Sequence, residues 1–200
     1  MKHNPLTIGV YTYNGMDLLD ATGPIEVFTY AAHQTPQGRE RGIQIDTIAD
    51  TKEPIQTYSG VTIVPTTSIK HAPLYDVLIL PGAPESELIQ AVSNKQTQTW
   101  ITKQAQGNQY TTSVCTGVYF LAYAGLLNGK KATTHHKSCD FLATHFPAIH
   151  VQTHKRFVVD QTIITSGGVT SGIDMALYLV ETFLGQAAAD RVKDGIEFNP

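Results

Sequence analysis

The chain has 200 residues, 42% of them hydrophobic and 16% charged, with a formal net charge of -3. That length and balance suit one globular domain with a sizeable core, and the absence of a basic footprint argues against nucleic acid as a partner. Two widely spaced cysteines make no disulfide framework, and the opening MKHNPLTIGVYTY is too short and too polar-flanked for a signal peptide or membrane span, so a soluble, cytoplasmic protein with reduced thiols is expected.

Leu6–Tyr13 reads as a first strand, closed by the turn signal Asn14-Gly15. Pro24 suits the first turn of a helix carrying Ile25, Phe28 and Ala32, with Asp20 and Thr22 in the preceding loop or opening turn. The polar stretch 34–42 reads as a loop, Ile43–Ile48 as a strand, and residues 55–58 and 61–64 as a hairpin. Val77-Leu78-Ile79-Leu80 is a continuous apolar run, as in a central strand buried on both faces. Pro81-Gly82-Ala83-Pro84 then turns into a helix near Glu85, and a second helix covers about 96–106.

The most informative stretch follows, YTTSVCTGVYFLAYAGLL over 110–127. A β-prone run breaks at Cys115-Thr116-Gly117 into an apolar helical pattern, the geometry of a nucleophile elbow. A helix start offers unpaired N–H groups that favour a thiolate, so Cys115 is expected to be a reactive nucleophile. A buried packing role and an oxidisable sensor are the competing readings. Beyond it lie a short strand at 131–134, a helix with Phe141 and Leu142, a β-pair split at Asp160-Gln161, the turn Ser166-Gly167-Gly168, a helix over 173–184 and a short polar tail.

Alternating strands and helices predict one domain over residues 1–200, a three-layer α/β sandwich with a mostly parallel, flavodoxin-like sheet and helices on both faces. Ligands bind at the carboxyl ends of such strands. The turns at Asp20–Pro24, Pro81–Pro84, Ser113–Gly117 and Thr165–Val169 therefore converge if their strands are parallel neighbours. An Asp before a Pro-initiated helix serves equally as a cap. Asp17 reads as a solvated turn residue and Cys139 as ordinary packing. Eight histidines show neither HExxH nor paired-Cys spacing, so no metal is expected. His135 and His136, adjacent on a strand, should face opposite ways, and His135 is a possible pocket wall.

The segments LLDATGPIEVF (18–28), VLILPGA (77–83), TSVCTG (112–117), AGLLNGKKATTH (124–135) and TSGGVTSGIDMAL (165–177) resemble the ThiJ/PfpI superfamily, with its class I glutamine-amidotransferase-like fold. They look closest to its isocyanide (isonitrile) hydratase branch. The resemblance implies Cys115 as nucleophile, Asp20 as the essential carboxylate and no cofactor. It also implies a small-molecule substrate, an isocyanide hydrated to an N-substituted formamide, and a homodimer. Thr116 stands where PfpI-type proteases and glyoxalases have histidine, which argues against those chemistries. Thr116 is further assigned to orient Asp20 or a water. Gly82 and Ala83 amides, with Gly168 and Val169, are expected to hold developing negative charge. Mutual repulsion should leave Asp20 protonated beside an ionised Cys115. Two departures are visible: Ala83 replaces a glycine common in relatives, and His136 stands where the branch tends to have tryptophan. AraC-type regulators share the fold with a DNA reader appended, but with only a short tail up to Pro200 direct DNA regulation is not expected. A thiol-based redox or stress-response role is the alternative to catalysis.

Overall fold

A computed structural model describes residues 4–199; Met1, Lys2 and His3 of the amino-terminal stretch and Pro200 of the tail lie outside the described residues. In chain order the elements are β1 (Leu6–Tyr11), α1 (Leu18–Gln34), α2 (Pro36–Arg41), β2 (Ile43–Ala49), β3 (Ile55–Gln56), β4 (Thr62–Ile63), β5 (Thr67–Ser68) and β6 (Val77–Leu80). They continue with α3 (Glu85–Val92), α4 (Lys95–Gly107), β7 (Tyr110–Ser113), α5 (Val118–Tyr123), β8 (Lys131–Ala132) and α6 (Cys139–His145). The chain closes with β9 (His150–Val151), β10 (Phe157–Asp160), β11 (Ile163–Ser166), α7 (Ser171–Leu184) and α8 (Gln186–Gly195).

Seven strands form the main sheet in the order β10-β11-β7-β6-β1-β2-β5. Every neighbouring pair is parallel except β10 with β11. The helices α1, α7 and α8 pack together, and α3, α4 and α5 form a second group, which gives the expected three layers. Residues Val77 to Leu80 of β6 are each 0% exposed, as their unbroken apolar run requires of a strand covered on both faces. From β1 the chain winds first toward β2, then crosses to β6 on the other side. The order therefore reverses between β1 and β6, and a ligand crevice is expected at the carboxyl ends there.

Several elements differ from those the sequence predicts. Helix α1 begins at Leu18, so Pro24 lies in its interior and Asp20 in its first turn. The predicted loop at 34–42 holds α2, started by Thr35 Oγ1 accepting from Gly38 N at 2.9 Å with Pro36 next, and stopped by Gly42 in left-handed backbone. The predicted short tail is instead α8, whose Ala188, Ala189 and Val192 are buried beside α1 and α7. Residues 131–134 give only a two-residue strand, which pairs with β9 outside the main sheet.

Candidate functional site

Cys115 lies two residues past the end of β7 and adopts φ +56, left-handed backbone that non-glycine residues rarely hold. Three contacts impose it. Cys115 N donates to Gly167 O at 2.9 Å, its carbonyl accepts from Thr134 Oγ1 at 2.8 Å, and Gly117 sits against β6 so closely that an added Cβ would lie 2.0 Å from Leu80 O. The side chain is thereby lifted off the sheet but stays 4% exposed. Backbone N–H groups of Thr116 and Val169 both point at the sulfur. Val169 itself has φ +36, a strained position for a β-branched residue.

The segment after β1, which lies two strands from β7 in the sheet, brings the carboxylates. Asp20, on the first turn of α1, is 0% exposed. Its Oδ2 accepts from Gly82 N at 2.9 Å, and its Oδ1 is buried without a hydrogen-bond partner. Asp17, Asp20 and Cys115 each place a ligand-type atom within 4.8 Å of the others. This is also the trio that offers metal-binding atoms together, a mixed set of two carboxylates and one thiol. Tyr13 closes the floor, its hydroxyl donating to Pro81 O at 3.0 Å while its ring packs edge-on against Phe120, centroids 5.3 Å apart.

Two carboxyls and a thiol crowd this cluster, and the titrations follow from that. Burial pushes the Asp20 carboxyl up to about 7, with the Gly82 hydrogen bond opposing and the Asp17 charge adding to the rise. Burial, then the Asp20 charge, push the Cys115 thiol up to about 12 against the two amides. The expected order of ionisation is thus reversed. Asp20 loses its proton first and the resting sulfur keeps its own, because two N–H groups ahead of a short helix do not outweigh desolvation plus a facing carboxylate.

Other assigned roles change as well. The Gly82 and Ala83 amides are not free to hold a developing charge: Gly82 N is taken by Asp20, and Ala83 N donates to Thr116 Oγ1 at 2.9 Å. The Thr116 hydroxyl in turn donates to Ala83 O at 2.7 Å, so it ties two loops together rather than orienting Asp20. The free charge-holding amides are those of Thr116 and Val169. Gly82 still has a reason to be glycine, since a Cβ there would lie 2.5 Å from Thr116 Oγ1 and 3.0 Å from Asp20 Oδ2. Asp17 is not a solvated turn residue; it is half-buried, with a carboxyl raised by burial and partly offset by His135. Its spacing of three from Asp20 at a helix start was the available signal.

His135 and His136 do not face opposite ways. They open a tight helical turn and their rings lie tilted against each other with centroids 4.4 Å apart. His135 packs over Gly168, where a Cβ would lie 2.5 Å from its Cδ2. Both line a cleft of about 460 Å³ with Thr134, Gly168, Val169 and Lys155. A second hollow, about 290 Å³, opens beyond Thr116 between Leu88, Tyr119 and Phe141. A larger cavity, about 540 Å³, lies at the opposite strand ends around Arg41 and Asp76 and has no part in this chemistry.

A doubly wound sheet with a cysteine elbow facing an acidic helix start defines the class. The chain belongs to the DJ-1/PfpI family, whose model matches residues 7–182. It is 35% identical over 195 residues to the isonitrile hydratase of Pseudomonas putida, spanning 98% of this chain and 79% of that protein. It is 28% identical over 179 residues to GbdR, an HTH-type transcriptional regulator of Pseudomonas aeruginosa, spanning 90% of this chain and 47% of that one. Among solved structures, a ThiJ/PfpI family protein from Pseudomonas syringae superposes with a TM-score of 0.86 at 32% identity, covering 100% of this chain and 77% of that one. Drosophila melanogaster DJ-1beta superposes at 0.83 with 20% identity, covering 98% and 100%, a likeness of fold. Among the described residues no helix is long and apolar enough to cross a membrane.

Proposed function

We propose that the chain hydrates isocyanides to N-substituted formamides, with Cys115 as nucleophile and Asp20 as the acid and base that moves each proton. The observation that carries this reading is the buried pair itself: a carboxyl near pKa 7 with a free oxygen, beside a thiol that needs a base. Likeness to the Pseudomonas putida isonitrile hydratase supports it.

The resting thiol is a weak nucleophile, so its proton leaves as the bond to carbon forms. Asp20 takes that proton and passes it to the isocyanide carbon, giving the thioimidate R–N=CH–S–Cys115. Negative charge on sulfur during attack is held by the Thr116 and Val169 N–H groups. Water then adds to the thioimidate carbon, its proton travelling through Asp20 to nitrogen to give R–NH–CH(OH)–S–Cys115. The C–S bond breaks, the hydroxyl proton returns through Asp20 to sulfur, and R–NH–CHO leaves with the thiol restored. A carboxyl poised near neutral pH suits all three transfers, each typically worth ~100-fold or more.

The redox-sensor reading is weakened by the same chemistry, because oxidation proceeds through the thiolate and this thiol is pushed up to about 12. Purified protein incubated with 4-tolyl isocyanide tests the proposal. We expect the formyl proton of N-(4-tolyl)formamide to grow by NMR well above the buffer rate. No formamide above buffer, with clean peroxide oxidation of Cys115, favours the sensor instead.

A further inference from the structure

One cleft next to the Cys115 elbow has basic walls, opposite in sign to the chain as a whole. The chain carries a formal net charge of -3, yet the 460 Å³ cleft has Lys155, Arg156 and three histidines in its walls and no carboxylate. The inner wall of that cleft is the candidate site. Gly167 O accepts from Cys115 N at 2.9 Å, and Gly167 N donates to Arg156 O at 2.9 Å, so a single glycine joins the nucleophile to the basic segment. Cys115 follows β7, Gly167 follows β11 and Arg156 precedes β10, three successive neighbours in the sheet. Nucleophile and basic segment are therefore two strand spacings apart, roughly 10 Å.

The two cations differ in availability. Arg156 Nε donates to Asp174 Oδ2 at 2.9 Å and its terminal nitrogens donate to Thr170 Oγ1 at 3.2 and 3.3 Å, which neutralises and fixes it. Lys155 has no acidic partner within ion-pair distance among the described residues. An ammonium left unpaired at the mouth of a small-molecule cleft attracts an anion, and because it is exposed that attraction is screened by salt.

We propose that the preferred substrates are isocyanides whose far end carries a carboxylate. The reactive carbon meets Cys115, the body lies over Gly168 and Val169, and the carboxylate is held by Lys155. This rests on the hydratase reading above.

The test compares 4-isocyanobenzoate with its uncharged methyl ester, using wild type and Lys155→Met, at low and high salt. Binding of 4-formamidobenzoate is measured in parallel by calorimetry. Wild type should favour the anion in kcat/KM by roughly tenfold at low salt, mainly through KM. High salt or Lys155→Met should bring that preference close to unity, the loss falling on the anion's KM. Equal kcat/KM for the two substrates in wild type, or a preference that survives Lys155→Met, overturns the inference and leaves hydration intact. If neither isocyanide is turned over, the hydratase reading fails and binding decides the cleft. Affinity for 4-formamidobenzoate that is lost in Lys155→Met supports an anion site, and absent or unchanged affinity overturns it.

Discussion

Asp20 presents a carboxylate oxygen within 4.8 Å of the Cys115 sulfur, and both side chains are closed off from solvent. Two groups that each acquire negative charge on ionising share one dry space, so each raises the other's cost of ionising. Iodoacetamide labelling of the Cys115 peptide should therefore be slow near pH 7 and climb steadily above pH 9 in wild type. Asp20→Asn removes the facing charge and lowers the thiol pKa, so labelling at pH 8 should rise about tenfold for each unit of fall. Unchanged labelling would show that the carboxylate does not act on the sulfur.

The same burial sets a pH dependence of stability. Asp20 titrates at 3.8 when unfolded and at about 7 when folded. Between those values the native state holds a proton that the unfolded chain has released, so stability falls as pH rises from 4 to 7. The full difference is at most about 4 kcal/mol. Asp20→Asn keeps an oxygen for Gly82 N and carries no charge, so its advantage over wild type should open through that window. Melting curves at pH 4.5 and 8 check this; parallel shifts of the two proteins would mean that Asp20 ionises normally.

Thr116 is a fastener between the elbow and the loop after β6. Its hydroxyl accepts from Ala83 N and donates to Ala83 O, and Ala83 is 2% exposed. Thr116→Val strands that buried N–H at a cost of about 1–3 kcal/mol. At roughly 2–4 °C per kcal/mol for a chain of this size, the melting temperature should drop by several degrees, while Thr116→Ser stays near wild type. A Val variant as stable as wild type would remove the fastening role.

Gly117 holds the elbow against β6. A methyl group there meets the Leu80 carbonyl at 2.0 Å, and backbone on both sides cannot swing away. Gly117→Ala should cost about 3 kcal/mol or more and displace Cys115, read as a lower denaturation midpoint and altered Cys115 labelling. A folded variant with normal labelling would contradict the packing described.

The sheet was legible because its strands announce themselves. Val77–Leu80 is wholly apolar and buried, and β10 and β11 flank a clear turn at Asp160-Gln161. Convergence of the Asp20, Gly82, Cys115 and Gly168 turns followed from parallel neighbours alone. What escaped was set by tertiary environment. Helix α2 has a Thr-Pro start and a Gly stop but only six residues and no apolar stripe. Pro24 suggested a helix start because its ring is costly elsewhere, yet α1 accepts it in its interior. The reversal between thiol and carboxyl depends on how dry the site is, which residue types do not report. Likewise, whether the Gly82 and Ala83 amides are free depends on which side chains reach them first.

The central claim is that Cys115 bonds to the substrate carbon while Asp20 moves the protons. The most direct measurement is the initial rate of formamide formation from 4-tolyl isocyanide by wild type, Cys115→Ala and Asp20→Asn at pH 7, with intact mass recorded during turnover. Wild type should turn over and show a mass increase of one substrate, while Cys115→Ala shows neither and Asp20→Asn is slowed by ~100-fold or more. Full hydration by Cys115→Ala would contradict the account.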